Sequence, residues 1–102
     1  MVFATPLYYW NMSGQIRIAI DRLFALEEGD GNLLRGHGRA SVLLMAAEGH
    51  GFEDVLVYYD HLMEHLRWKN LGHVLAGGNM NVGDIQDKPE LRQAYELGKS
   101  IR

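Results

Sequence analysis

Hydrophobic positions recur along the chain with two different spacings, and these spacings predict three strands that alternate with three helices. Short apolar runs indicate strands, and apolar residues three or four positions apart indicate helices. The predicted strands are Met1–Thr5, Ala40–Ala47 and Val74–Ala76. The predicted helices start after Ser13 and stop before Gly29, span Phe52 to about Asn70, and start at Pro89.

The middle strand indicates how the sheet is built. Nearly every residue from Ala40 to Ala47 is apolar, whereas a strand with one solvent face would alternate. The order βαβαβα with such a strand predicts an α/β fold with a parallel sheet, in a single domain of residues 1–102. Ligands of such sheets bind at the carboxyl ends of the strands. Three loops are therefore candidates for function: Pro6–Met12, Glu48–Gly51 and Gly77–Val82.

The helices are predicted from their apolar faces and end residues. Ser13 suits the N-cap of the first helix, and Pro89 suits the first turn of the last one. The polar run from Asp84 to Asp87 predicts a loop. Each helix has one apolar face: Ile16, Ile20, Leu23 and Phe24 in the first; Phe52, Val55, Leu56, Tyr59, Leu62, Met63 and Leu66 in the second; Leu91, Ala94, Tyr95 and Leu97 in the third.

Composition and charge remove several classes of function. The formal net charge is −3, which gives no basic surface for nucleic acid and no polybasic membrane anchor. No apolar run approaches the ~20 residues of a membrane span. The chain has no cysteine, so disulfides, thiolate catalysis and cysteine-held metal clusters are excluded within it. We expect a cytoplasmic location, with neither nucleic acid nor membrane as partner.

The first candidate loop carries an unusual amount of aromatic surface. Tyr8, Tyr9 and Trp10 follow one another between Pro6 and Asn11. Aromatic side chains at a ligand edge can stack on a flat ring, whereas backbone groups of the same loop can bind its polar rim. The alternative is that these side chains cover the end of the sheet or form a subunit interface.

The other two loops are rich in glycine. Glu48-Gly49-His50-Gly51 follows the middle strand, and glycines allow backbone N–H groups to approach a ligand closely. The alternative is a tight turn between strand and helix. Gly77-Gly78 follows the third strand and could admit a nicotinamide or a second subunit, but a plain turn fits equally well. Neither loop has the spacing of a dinucleotide fingerprint or a P-loop.

A histidine pair on the second predicted helix matches a known zinc spacing. His61-Leu62-Met63-Glu64-His65 fits H-x-x-E-H, in which two histidines on one helix face bind zinc. No third ligand is evident, and both histidines lie opposite the apolar stripe, so we expect them to face solvent. A hydrolase or metal enzyme built on this helix is therefore the weakest of the functional hypotheses.

The segment "ATPLYYWNMSGQIRIAIDR" resembles the strand-loop-helix of NAD(P)H-dependent FMN reductases of the flavodoxin-like superfamily. The matching positions are Pro6, Tyr8, Asn11, Ser13, Gly14, Gln15, Arg17, Ile20, Asp21 and Arg22. The tail "GDIQDKPELRQAYELGKSI" is similar to the end of the same family. The resemblance implies a flavodoxin-like sheet of which this chain holds about three strands and three helices. It starts at the family's third strand, so the phosphate-binding loop of the family lies outside the matched part.

The resemblance also implies an activity and its cofactors. FMN would be bound, a nicotinamide cosubstrate, NAD(P)H, would donate hydride to flavin N5, and a small-molecule acceptor such as a flavin or quinone would take the electrons. The implied FMN-binding residues are Pro6, Leu7, Tyr8, Tyr9, Trp10, Asn11, Glu48, Gly49, His50 and Gly51. No catalytic side chain is implied. A carboxylate such as Glu48 beside the pyrimidine edge would disfavour an anionic reduced flavin.

A sheet that starts at this strand has an exposed apolar edge. Edges of this kind invite pairing with another chain, so we expect a homo-oligomer, most simply a dimer, with Val2 to Thr5 and nearby surface at the interface. A cofactor-free, self-associating α/β module that has lost flavin binding is accordingly the alternative to the reductase hypothesis.

Overall fold

The computed structural model describes residues 1–101 and contains one parallel sheet with helices on both faces. The strands are β1 (Val2–Pro6), β2 (Ala40–Ala46) and β3 (Lys69–Ala76), paired side by side in the order β1-β2-β3. The helices are α1 (Gly14–Glu28), α2 (Glu53–Leu66) and α3 (Pro89–Ser100). The predicted α/β class, parallel pairing and element order are confirmed.

Strand β1 continues through Pro6, where the sequence predicted its end. The carbonyl of Met1 accepts from Val42 N–H at 3.0 Å, and Leu7 N–H donates to the Ala46 carbonyl at 3.2 Å. Backbone groups alternate in direction along a strand, so these two bonds place the nitrogen of Pro6 on the side away from β2. Proline is tolerated there because it lacks a backbone N–H, and an N–H at this position would point away from β2 and would not bond to it.

The boundary between α2 and β3 differs most from prediction. The helix was expected to reach about Asn70, but it ends at Leu66. Arg67 adopts a left-handed backbone with φ of 55°, and its N–H bonds to the Glu64 carbonyl. Trp68 N–H then bonds to the Met63 carbonyl, which closes the helix end, and β3 starts at Lys69 instead of Val74.

The main core lies between the sheet and the α1–α2 layer. Phe3, Leu43 and Met45 contribute from the sheet, and their side chains pack with those of α2, including Val55 and Tyr59. The predicted apolar face of α2 is buried or half-buried throughout. In α1, Ile16, Ile20 and Leu23 join this core, whereas Phe24, expected on the same face, is exposed.

One polar pair is embedded in this core. The hydroxyls of Ser41 and Tyr59 form a hydrogen bond, and both residues are fully buried. Burial is the main cause that raises the pKa of Tyr59, so its hydroxyl stays neutral. The pair therefore satisfies two buried polar groups without placing a charge in the core.

The opposite face of the sheet is covered by α3 over β3. No residue of α3 is buried, although its predicted apolar positions include Leu91 and Tyr95. The polar run Asp84–Asp87, predicted as a loop, forms a single 3₁₀ turn before this helix. Within residues 1–101, no helix combines the length and apolar character needed to cross a bilayer.

Candidate functional site

The carboxyl ends of the strands carry a cleft between the aromatic loop and the loop after β2. Its lining residues are Leu7, Tyr9, Trp10, Ala47, Glu48, Gly49 and Gly51, and its volume is about 310 Å³. This is at the lower end of the ~300–1,000 Å³ found for small-molecule sites. The geometry brings together two of the three loops that the sequence indicated.

The aromatic loop is a tight turn with an unfavourable backbone. Tyr8 and Asn11 exchange both backbone hydrogen bonds, at 2.9 and 3.0 Å. The two central residues, Tyr9 and Trp10, have φ of 47° and 63°, a region that bulky side chains rarely adopt. We refer to Tyr8–Asn11 as the aromatic turn. A left-handed backbone costs on the order of 1–2 kcal/mol for each residue other than glycine, so this turn stores strain.

The same turn exposes its aromatic side chains to solvent. Tyr9 is 92% exposed and Trp10 is 61% exposed. Their rings lie 6.4 Å apart with an interplanar angle of 55°. The edge of the Trp10 indole also approaches the second loop, since a Cβ placed on Gly51 would lie 3.7 Å from both Cδ1 and Nε1. One wall of the cleft is therefore an exposed aromatic surface that lies beside Gly51 of the second loop.

Two buried residues anchor the aromatic turn to the sheet. The Thr5 hydroxyl accepts from Ser13 N–H at 2.9 Å and donates to the Pro6 carbonyl at 2.9 Å. Met12 is buried in the core, and its N–H donates to Asn11 Oδ1 at 2.7 Å. The sequence analysis did not identify Thr5 as a residue of the site. The feature that could have identified it is a hydroxyl side chain in an otherwise apolar strand, directly before a proline. The predicted N-cap is confirmed, with the Ser13 hydroxyl accepting from Ile16 N–H at 3.5 Å.

The loop after β2 is tied by backbone bonds to the loop after β3. Gly78 N–H donates to the Glu48 carbonyl and Asn79 N–H to the Ala47 carbonyl, both at 2.9 Å. Gly77 is buried between them, and a Cβ there would lie 2.6 Å from the Gly49 carbonyl oxygen. The second wall of the cleft is thus a rigid extension of the β2–β3 ladder, and it depends on a glycine at position 77.

His50 points away from the cleft and toward the β3 loop. A Cβ on Gly77 would lie 2.2 Å from His50 Nδ1, so the imidazole occupies the space beside that glycine. Lys88, which the sequence pattern did not indicate, reaches the same place from the start of α3. Its Nζ donates to the Gly77 carbonyl at 2.6 Å. A cationic side chain therefore helps to hold the β3 loop.

The far part of the β3 loop is organised by Asn79 and Asp84. The Asn79 side-chain amide donates to the carbonyls of Ala76 and Gly77 at 2.8 and 3.2 Å. The Asp84 carboxylate accepts from Met80 N–H at 3.0 Å and Asn81 N–H at 2.9 Å. These bonds, that of Asn81 foremost, lower the pKa of Asp84, because they favour the ionised carboxylate.

Some of the residues predicted to bind the cofactor line the cleft in the structure, and the others do not. Six line the cleft: Leu7, Tyr9, Trp10, Glu48, Gly49 and Gly51. Four do not: Pro6 lines a separate groove on the α3 face, Tyr8 is 60% exposed, Asn11 closes the aromatic turn, and His50 packs on Gly77. The six form a single surface on which a flat ligand could lie.

The histidine pair on α2 does not converge on other ligands. His61 and His65 are both exposed, as predicted. His65 Nε2 lies 2.7 Å from Glu27 Oε1 of α1, which joins the two helices at their surface. Across residues 1–101, no three histidine, cysteine, aspartate or glutamate side chains are grouped so that they could hold a metal ion.

Comparisons with known proteins place this geometry in context. No protein-family model matches the chain. The chain is 28% identical over 101 residues to an iron-sulfur flavoprotein of Archaeoglobus fulgidus, a match that covers 99% of the chain. It spans 44% of the length of that curated relative.

The fold is shared with a solved structure, the Trp repressor binding protein from Bacillus subtilis. The TM-score is 0.77 at 19% sequence identity, over 99% of this chain and 70% of the other. The chain therefore has a flavodoxin-like fold, as predicted, and over nearly its whole length it is similar to part of a flavoprotein.

Proposed function

We propose that the cleft binds the isoalloxazine ring of FMN and that the chain forms part of an NAD(P)H-dependent flavin or quinone reductase. The observation that carries the proposal is the strained aromatic turn at the cleft. Tyr9 and Trp10 hold a costly backbone while their rings stay in solvent. Strain of this kind concentrates at ligand sites, where the ligand interaction offsets it.

The chemistry of the lining supports a flavin over a polar ligand. The isoalloxazine is flat and largely apolar with a polar pyrimidine edge. Trp10 and Tyr9 offer aromatic faces, whereas Gly49 and Gly51 leave backbone groups open to close approach. Glu48, also in the lining, does not add to this support, because its carboxylate would disfavour the anionic form of a reduced flavin. The similarity to a flavoprotein supports the same choice.

The relative is called an iron-sulfur flavoprotein, and the residues of this chain suit a flavin but not an iron–sulfur cluster. A bound flavin supplies hydride chemistry, and the protein supplies orientation through the aromatic turn and the β2 loop. Iron–sulfur clusters need cysteine thiolates, and this chain has none. We therefore assign to this chain only a flavin-binding role, with a nicotinamide as electron donor and a small molecule as acceptor.

The test is a titration of the purified chain with FMN and with riboflavin, followed by flavin fluorescence. We expect saturable quenching with both, because the ring and not the phosphate contacts the lining residues. Trp10→Ala should weaken binding by about tenfold, which equals ~1.4 kcal/mol of lost stacking and contact. Tyr95→Ala is the matched control, since Tyr95 is as exposed as Trp10 (61%) but lies on α3.

The outcomes separate the reductase hypothesis from its alternative. If neither flavin is bound, or if Trp10→Ala and Tyr95→Ala behave alike, the cleft is not a flavin site and the cofactor-free module is the better description. If quenching saturates, oxidation of NADH and NADPH should be followed next by the loss of absorbance of the reduced nicotinamide, with a quinone as acceptor.

A further inference from the structure

A groove lies between α1 and α2, and its walls and floor come from the interior of the chain. Its volume is about 470 Å³, within the ~300–1,000 Å³ range of small-molecule sites. Among the described residues, none lines both this groove and the cleft at the strand ends. The lining residues are Ile20, Asp21, Phe24, Glu27, Leu34, Tyr58, Leu62 and His65.

The middle of the groove is apolar and includes an aromatic ring that the core does not use. Phe24 is 59% exposed, although the sequence predicted it on the buried face of α1. Beside it in the lining, Leu62 of α2 is half-buried, and Ile20 and Leu34 are buried. An exposed ring next to buried aliphatic side chains offers contact to an apolar part of a ligand.

One end of the groove is closed by a hydrogen-bonded cluster. Glu27 Oε1 lies 2.7 Å from His65 Nε2 and 3.7 Å from Arg35 Nε. Arg35 Nε also donates to the His65 carbonyl at 2.9 Å. The Glu27 side chain is only 13% exposed, so its carboxylate is held by these neighbours and offers little to a ligand.

The other end of the groove carries a carboxylate that no cation neutralises by contact. The ion pairs within residues 1–101 involve Glu27 and Glu96 but not Asp21. Burial is the main cause that raises the pKa of Tyr58, and the negative charge of Asp21 raises it further, whereas Arg17 acts in the opposite direction. The Tyr58 hydroxyl therefore stays neutral and lies in the field of the Asp21 carboxylate, with Arg17 as the competing cation.

We propose that this groove binds an organic ammonium ion with an apolar tail, such as an alkylamine or an arylalkylamine. The ammonium group lies at Asp21 and Tyr58, where a carboxylate and a hydroxyl oxygen both accept its N–H groups. The tail lies between Phe24 and Leu62 and points toward Glu27. Six residues of helix separate Asp21 from Glu27, a rise of about 9 Å, which leaves room for a short alkyl chain or one aromatic ring.

The charges and the closed end of the groove decide between possible occupants. Two carboxylates and one histidine line it, which favours a cation over an anion or a neutral ligand. The aromatic rings of Tyr58 and Phe24 add to the attraction of a cation. Because the cluster at Glu27 closes one end, the groove suits a molecule of limited length better than a continuous protein segment. This inference is independent of flavin binding.

The test is a titration of the isotope-labelled full chain with hexylammonium at neutral pH, followed by the NMR shifts of backbone amides. Hexanol and hexanoate carry the same tail with a neutral and an anionic head. We expect hexylammonium to shift amides around Asp21 and Tyr58 saturably. It should bind about fivefold more tightly than hexanol, the factor that a partly exposed charge pair and a cation–π contact supply, and hexanoate should bind more weakly than both.

Two substitutions at the open end should act in opposite directions. Asp21→Asn removes the attracting charge and should weaken hexylammonium binding about fivefold, whereas Arg17→Gln removes the competing cation and should tighten it about twofold. Glu28→Gln is the matched control, because Glu28 is an exposed acid on α1 that does not line the groove. Phe24→Ala should weaken the binding of hexylammonium and of hexanol alike, since it contacts the tail. Circular dichroism confirms that each variant is folded.

Each outcome supports or overturns the proposal. A preference for hexylammonium that Asp21→Asn removes and Arg17→Gln increases supports it. Equal affinity for hexanol overturns it, as does an Asp21→Asn variant that behaves like Glu28→Gln. The proposal is also wrong if no shift saturates, or if the groove amides shift with protein concentration alone, which would assign the groove to a second copy of the chain.

Discussion

Gly77 is the position where a single added methyl group tests the geometry of the site most directly. Gly77 is buried immediately after β3. The Cβ of Gly77→Ala would lie 2.2 Å from His50 Nδ1 and 2.6 Å from the Gly49 carbonyl oxygen. Both distances are well inside van der Waals contact, so the substitution forces a movement of its neighbours.

The two clashes differ in how easily they are relieved. The imidazole of His50 is at the end of an exposed side chain and can rotate away. The Gly49 carbonyl can move only with its loop, which is held by the Gly78 N–H bond to the Glu48 carbonyl. Overpacking costs ~1–3 kcal/mol, and a weakened hydrogen bond costs ~0.5–1.5 kcal/mol. We expect Gly77→Ala to lower the free energy of unfolding by about 2 kcal/mol.

Urea denaturation followed by circular dichroism measures this loss of stability. A second substitution shows how much of the loss comes from each of the two clashes. His50→Ala in the Gly77→Ala background removes the ring clash but leaves the carbonyl clash, so it should restore less than half of the loss. Gly98→Ala is the control for the added methyl itself. Outside its own helix backbone, no described atom lies within 4 Å of that Cβ, and Gly98 is in α3. This control should gain up to about 1 kcal/mol from helix propensity.

Two results would refute the reasoning. Stability of Gly77→Ala within about 0.5 kcal/mol of the wild type would mean that the two loops are not packed as described. Full recovery on adding His50→Ala would mean that the Gly49 carbonyl yields freely and that the second wall of the cleft is not rigid.

Three further substitutions test the core, a loop and the surface. Tyr59→Phe leaves the buried Ser41 hydroxyl without its partner and should cost ~1–3 kcal/mol in urea denaturation, part of which Ser41→Ala restores. Asp84 has a lowered pKa, so the stability it contributes is present above its ordinary pKa of about 4 and is lost as pH falls. The difference in melting temperature between wild type and Asp84→Asn should therefore shrink as the pH is lowered from about 7, above that ordinary pKa, to about 3, below it. Glu27→Gln should cost under about 1 kcal/mol, because the side chains of its two partners, His65 and Arg35, are 55% and 34% exposed.

The architecture followed from the sequence because its signals were repeated along the chain. The continuous apolar run of β2 and the regular apolar face of α2 each depend on many residues, so no single exception changed the prediction. The end of α2 was missed for a local reason. Leu66 and Trp68 continue the apolar pattern, whereas the left-handed backbone of Arg67 leaves no pattern in the sequence. The first half of β3 consists of Lys69, Asn70, Leu71 and Gly72, of which only Leu71 is a large apolar residue, and so gave little apolar signal.

The site was predictable at the level of loops and not of individual side chains. Parallel strands bring their carboxyl ends to one edge, so the approach of the aromatic turn to Gly49 and Gly51 followed from topology. The direction of His50 did not, because it is set by space beside Gly77 that only the tertiary structure reveals. Lys88 was not predicted because it lies about forty residues from His50 along the chain and belongs to no motif.

The strained aromatic turn has a consequence for how this protein responds to selection. Asn and Gly are the residues that a turn with two positive φ values prefers, and they would relieve the strain that Tyr9 and Trp10 impose. A laboratory evolution experiment that rewards heat resistance alone should therefore enrich Asn-Gly at these positions. The same chains would lose the aromatic wall of the cleft. Thermal tolerance and the proposed flavin binding are in this way opposed at two adjacent codons.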